Sequence, residues 1–132
     1  MTAVVFLTTG ARWDADKFVE LATASGPNTS TSWYIGFGTG GSSTGGTATQ
    51  GDTDMKAAAT EARVAATVTQ PAATTDQFVA TITCGRAGGF VVEESALFNA
   101  TASGICVIRA SHGGVALATG DSIQYTYQLS WS

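Results

Sequence analysis

Residues 121–132 read D-S-I-Q-Y-T-Y-Q-L-S-W-S, and this run decides the fold class. Ile123, Tyr125, Tyr127, Leu129 and Trp131 alternate without a break with Ser122, Gln124, Thr126, Gln128 and Ser130. Successive side chains of a strand point to opposite faces. One face is therefore large and apolar, and the other is small and hydrogen-bonding. A sheet with such a face needs a second layer to cover it. The run is expected as a half-buried strand of a β-sandwich or barrel.

Working outward, the chain keeps the same character. Ile105–Ala110 (I-C-V-I-R-A) and Phe90–Phe98 (F-V-V-E-E-S-A-L-F) read as strands, as does Gln77–Cys84, with Phe78, Ala80 and Ile82 inward. Ala62–Gln70 reads as another, with Val64, Ala66 and Val68 on one face. Between them lie turn-bearing stretches at Pro71–Asp76, Gly85–Gly89, Asn99–Gly104 and Ser111–Gly120. Trp33–Phe37 and Ala3–Thr8 add two more strands. Ala15, Phe18, Val19 and Ala22 fall at helical spacing behind Asp14 and Asp16, which predicts a short helix over about residues 14–24. Gly38–Thr49 is so dense in Gly, Ser and Thr that an extended, mobile loop is expected. Asp52–Thr60 reads as one or two helical turns. The expectation is an all-β protein: a single antiparallel β-sandwich, jelly-roll or Greek-key in its connections, with one short N-terminal helix. It spans residues 1–132, with an N-terminal strand/helix arm at 1–33 and a flexible loop at 38–50.

Composition narrows the function. Charged residues make up 12% of the 132 and hydrophobic ones 44%, which argues for a packed domain over disorder. A net charge of −4, with six scattered basic residues, argues against nucleic-acid binding. The opening M-T-A-V-V-F-L-T-T-G has no basic n-region and too short an apolar run for a signal peptide or membrane span. A cytoplasmic origin and no membrane partner are expected, with Cys84 and Cys106 as small buried thiols. So few charges leave a neutral, hydroxyl-rich surface, and hence a homo-oligomer or an assembly partner is expected.

No catalytic, cofactor-binding or metal-ligating set is assigned. His112 is the one histidine and has no accompanying ligands. With Ser111 and Asp121 it makes an unconvincing triad, because adjacent Ser and His rarely share the needed hydrogen bond. Glycines 36, 38, 40 and 41 open no helix, which argues against a dinucleotide fingerprint. Glu93 and Glu94 are neighbours on a strand and should point to opposite faces, with Glu94 on the core side beside Val92, Ala96 and Phe98. A buried carboxylate needs a partner, and Arg63, Arg86 and Arg109 are the candidates. Asp52 and Asp54 are expected in solvent. Trp13, Trp33, Tyr34, Tyr125, Tyr127 and Trp131 read as core or as an interface with other subunits, ahead of a sugar-binding platform.

The region 35–131 resembles small β-sandwich structural proteins of tailed bacteriophages. The resemblance rests on Ile35-Gly-Phe-Gly-Thr-Gly40, on Glu61-Ala-Arg-Val-Ala, and on Val92-Glu-Glu-Ser-Ala-Leu-Phe-Asn-Ala100. The last is similar to the T-E-x-G-L-F-N-A strand and turn of that group, followed by a strand ending in Arg109-Ala, and the alternating C-terminal strand matches as well. Ala96 departs from the Gly more usual there. The resemblance implies a capsid decoration (cement) protein, on the virion exterior, bound to the major capsid protein and commonly trimeric. Its alternative is a tail-fibre or baseplate module that binds a receptor or glycan. In either role no enzyme activity is expected.

Overall fold

The computed structural model describes residues 33–130 in full and residues 3–6 by backbone. Trp13, Trp131 and the helix expected at 14–24 lie outside these residues. The described strands are β1 (Ala3–Phe6), β2 (Tyr34–Gly38), β3 (Val64–Ala65), β4 (Thr67–Ala72), β5 (Thr75–Thr83), β6 (Phe90–Phe98), β7 (Cys106–Leu117) and β8 (Ser122–Ser130). They form two antiparallel sheets, one ordered β1-β7-β6-β2-β3 and the other β4-β5-β8. One turn of 3₁₀ helix, Ser42–Thr44, is the only helical element among the described residues. The protein is all-β.

The alternation at the C-terminus produces what it predicts. β8 pairs with β5 in unbroken register from Thr75↔Ser130 to Thr83↔Ser122. Its hydroxyl and amide side chains are exposed, while Tyr127 is buried and Ile123, Tyr125 and Leu129 are half-buried. Phe78, Ala80 and Ile82 of β5 are buried on the same face. Across from them, Ile35 and Phe37 of β2, Leu97 of β6 and Ile108 of β7 join the same apolar cluster, so the two sheets share one core. Trp33 meets Phe78 edge-on at 5.1 Å between ring centroids. Each fully buried side chain of this size contributes about 1.5–3 kcal/mol.

Four local expectations change. Ala62–Gln70 is two strands, because the chain leaves one sheet for the other at Ala66, whose N–H donates to the Trp33 carbonyl at 2.7 Å. Alternation survives such a crossing, which hides it from a pattern search. Pro71 lies inside β4, where the edge position leaves its missing N–H without cost, and a register shift between Thr69 and Ala72 accommodates it. Residues 111–117 continue β7, with a register shift opposite Val92–Glu94. Finally, residues 52–60 form no helical turns. Their backbone bonds to the β2 strand region: Thr39 N–H donates to Ala57 O at 2.9 Å and Ala59 N–H to Phe37 O at 3.0 Å.

Candidate functional site

Arg109 is fully buried in β7, on the face of the five-stranded sheet turned away from the other sheet. A guanidinium there must be fully bonded, since burying a bare charge costs many kcal/mol. Its Nε–H donates to Glu94 Oε2 at 2.8 Å and Nη1 to Asp52 Oδ2 at 2.8 Å. Nη2 donates to the carbonyls of Gly40 and Gly46. Four of the five donors of the fork are thereby placed. Glu94 completes the web by accepting from the backbone N–H groups of Gly40 (3.1 Å), Lys56 (3.0 Å) and Ala57 (2.8 Å). Asp52 takes Lys56 Nζ at 2.9 Å as well as the N–H and hydroxyl of Thr49. Burial pushes the Asp52 carboxyl up, but Lys56, Thr49 and Arg109 outweigh it and hold the group at about 2.

This web binds the long excursion 39–63 onto the sheet. The Gly38–Thr49 stretch, expected as an unpacked loop, is packed: Gly38, Gly40, Gly41, Gly46 and Ala48 are buried. Its glycines serve close approach. A Cβ on Gly41 would stand 2.2 Å from the Cβ of Glu93, and one on Gly38 would stand 2.3 Å from the Ala57 carbonyl oxygen. Asp52, expected in solvent, is buried at 5% exposure, whereas Asp54 is exposed. Of the three arginines considered for Glu94, Arg109 is the partner. Arg63 instead stacks on Phe98 at 3.4 Å and donates to the carbonyls of Ala100 and Ser103. Arg86 stacks on Phe90 at 4.2 Å and pairs with Glu61.

Glu93 and Glu94 do not point to opposite faces. Val92 belongs to the core between the sheets, and so do Leu97 and the Ser95 hydroxyl, which bonds Tyr127. The register shift between Val92 and Glu94 breaks the alternation in between. Both carboxylates consequently meet the same covering segment. Glu93 Oε1 accepts from the N–H and hydroxyl of Ser43, while Glu94 meets Gly40, Lys56, Ala57 and Arg109. Asp52, Ser43 and the carbonyls of Gly40 and Gly46 escape a motif search. Their one sequence signal is an Asp–Lys pair four residues apart beside a glycine-dense stretch.

A second feature lies between the sheets beside β8. A cleft of about 380 Å³ is floored by Ile108 and Ala110 and walled by His112, Tyr125 and Tyr127. His112 Nδ1 lies 2.8 Å from the Gly113 carbonyl and Nε2 lies 2.9 Å from Tyr125 Oη. A carbonyl can only accept, so Nδ1 carries a proton in this arrangement, and Nε2 shares a hydrogen bond with the tyrosine hydroxyl. Burial raises the phenols of Tyr125 and Tyr127, so both remain neutral. The Ser111–His112–Asp121 set is not assembled. Ser111 Oγ accepts from Ala48 N–H, and Asp121 accepts from Ala118 N–H. No cluster of three or more His, Cys, Asp or Glu able to hold a metal occurs among the described residues.

The aromatic candidates separate by depth. Trp33 and Tyr127, at 3% and 6% exposure, lie in the domain's own core and leave little surface for a partner. Trp33 therefore presents little surface on which a sugar could stack. Tyr34 and Tyr125 are half-buried. Cys84 and Cys106 are buried thiols, the first donating to the Arg86 carbonyl and the second to that of Ile108. No described helix is long and apolar enough to cross a membrane. Comparison of the chain with protein-family models, curated proteins and solved structures gives no match.

Proposed function

We propose that this chain is a structural virion protein that binds an assembled phage capsid shell at capsomer junctions and stabilises it. One observation carries the reading. The residues that bear the phage resemblance are the ones that build the buried frame: Glu94, Ala96, Leu97, Phe98 and Arg109 are at most 1% exposed. Asn99 then caps the turn by accepting from Ile105 N–H at 2.7 Å. A part that holds a shell together needs such a frame and a large neutral surface, with no reactive group. Five of the eleven ionisable Asp, Glu, Lys and Arg side chains in residues 33–130 are buried, which supports a surface still poorer in charge than the composition suggests.

In this reading the two sheets form a Greek-key sandwich: β8 returns beside β5 while β6 and β7 pair in the facing sheet. A short helix at 14–24 completes the N-terminal arm. The partner is the major capsid protein, and subunits meet about threefold or quasi-threefold axes on the capsid exterior. Tyr34, Trp13 and Trp131 are the aromatic contacts that this reading retains. Many weak contacts over a repeating shell add to a strong attachment.

Quantitative mass spectrometry of purified particles tests the proposal. A copy number comparable with that of the major capsid protein supports it. A count lower by orders of magnitude moves the chain to a tail fibre or baseplate, where receptor or glycan binding becomes the assay. Absence from particles overturns both roles.

A further inference from the structure

The three-stranded sheet has two edges, and they are built differently. β4 carries Pro71 and a register shift, both of which discourage the addition of another strand. β8 has neither. It runs for nine residues in unbroken register with β5, its one neighbouring strand among the described residues, without a proline or a charged side chain. A long, regular, uncharged edge is a template for strand addition.

The sequence of β8 indicates which strand fits. S-I-Q-Y-T-Y-Q-L-S reads almost identically in both directions about Thr126. Laid antiparallel on a second copy about a twofold axis at Thr126, Ser122 meets Ser130, Ile123 meets Leu129, Gln124 meets Gln128 and Tyr125 meets Tyr127. Aromatic faces aromatic, aliphatic faces aliphatic, and amide faces amide. A slip of one residue would set the apolar face against the polar one. The chemistry is already in use on the other side of β8. There Thr75 and Ser130 hydroxyls lie 3.0 Å apart, Thr83 and Ser122 2.7 Å, and Gln128 Nε2 lies 3.4 Å from Gln77 Oε1. Such cross-strand pairs each contribute a fraction of the sheet's stability.

We propose that two copies of this chain pair through β8, antiparallel about Thr126, to make one continuous sheet of strand order β4-β5-β8-β8-β5-β4. The contact is isologous, each copy offering the same strand. In this register Tyr125 lies across from Tyr127 of the second copy on the inward face, and the exposed Ser, Gln and Thr side chains meet on the outer face. The two Asp121 side chains lie at opposite ends of the pairing and do not oppose each other. This twofold contact is separate from any threefold one, and it stands or falls independently of the virion reading.

The test is the solution mass of the full chain by sedimentation equilibrium, with circular dichroism as a fold check. Wild type should have twice the chain mass. Thr126→Lys, which places two ammonium groups face to face at an exposed position, should have the single mass with an unchanged spectrum. Cysteine variants fix the register independently. Oxidation of Thr126→Cys should give a covalent dimer, as should that of Gln124→Cys/Gln128→Cys, while Gln124→Cys alone should not. A monomeric wild type, a Thr126→Lys protein that keeps its oligomeric mass, or cross-linking of Gln124→Cys as efficient as that of Thr126→Cys would each overturn the proposal.

Discussion

Arg109 Nε–H donates to Glu94 Oε2 at 2.8 Å, and neither side chain reaches solvent. The two residues sit on adjacent strands, β7 and β6, beneath the 39–63 excursion. Between them they join residues up to 69 positions apart. The pair and Asp52 fasten that excursion to the sheet.

Breaking this pair should be costly. Arg109→Met leaves Glu94 buried against fewer donors and is expected to lower the unfolding free energy by about 3–5 kcal/mol in urea titrations. Arg109→Lys should recover little of it, because an ammonium cannot reproduce the fork. A loss below about 1 kcal/mol would mean that the web adds little to stability.

Two buried carboxyls respond to acid in opposite senses. Asp52 is held at about 2 when folded, below the value of about 3.9 expected when unfolded. Its contribution is full above pH 4 and is lost as pH falls from there through 2. Burial pushes Asp76 up, and Gln70 offsets this in part. Keeping Asp76 ionised therefore costs stability above the unfolded value, and this cost disappears in acid. Urea midpoints between pH 7 and pH 2 should show Asp52→Asn weaker and Asp76→Asn stronger than wild type at pH 7. Both differences should shrink toward pH 2. A gap for Asp52→Asn that does not change with pH contradicts this assignment.

Glycine in the excursion serves contact. Gly38→Ala and Gly41→Ala should each cost about 1–3 kcal/mol through overpacking against Ala57 and Glu93. Both should also open residues 39–57 to limited proteolysis. Gly51→Ala, with nothing within 4 Å, should leave stability and the cleavage pattern unchanged. Equal behaviour of all three would indicate an unpacked loop.

The two tyrosines of the cleft should differ. Tyr127→Phe strands the fully buried Ser95 hydroxyl and should cost about 1–3 kcal/mol. Tyr125→Phe removes a bond to a half-buried His112, which water can replace, and should cost less than about 1 kcal/mol. Thermal unfolding of both variants decides the order, and a reversed order contradicts the burial assigned to Tyr127.

Much of the framework was legible in the sequence because strand alternation is a local signal. β5 and β8 follow their side-chain periods closely, and the need of Glu94 for an arginine follows from the cost of burying a charge. Choosing Arg109 over Arg63 and Arg86 was not legible, since register decides which guanidinium comes within reach. The excursion misled for a related reason. Glycine lacks a Cβ, and this suits both a free loop and a backbone pressed onto a neighbour. Contacts with Ala57, and with Glu93, Glu94 and Arg109 some 50 to 70 positions downstream, turn those glycines into packing.

The sequence by itself determined an all-β chain with a two-faced C-terminal strand, because a period of two needs no knowledge of distant residues. The tertiary structure decided which sheet each strand joins and that both glutamates of β6 turn to the same side. It also placed the buried charges around Arg109. Those outcomes depend on register shifts and on contacts between segments far apart in the chain, where a single slipped residue reverses which face a side chain occupies.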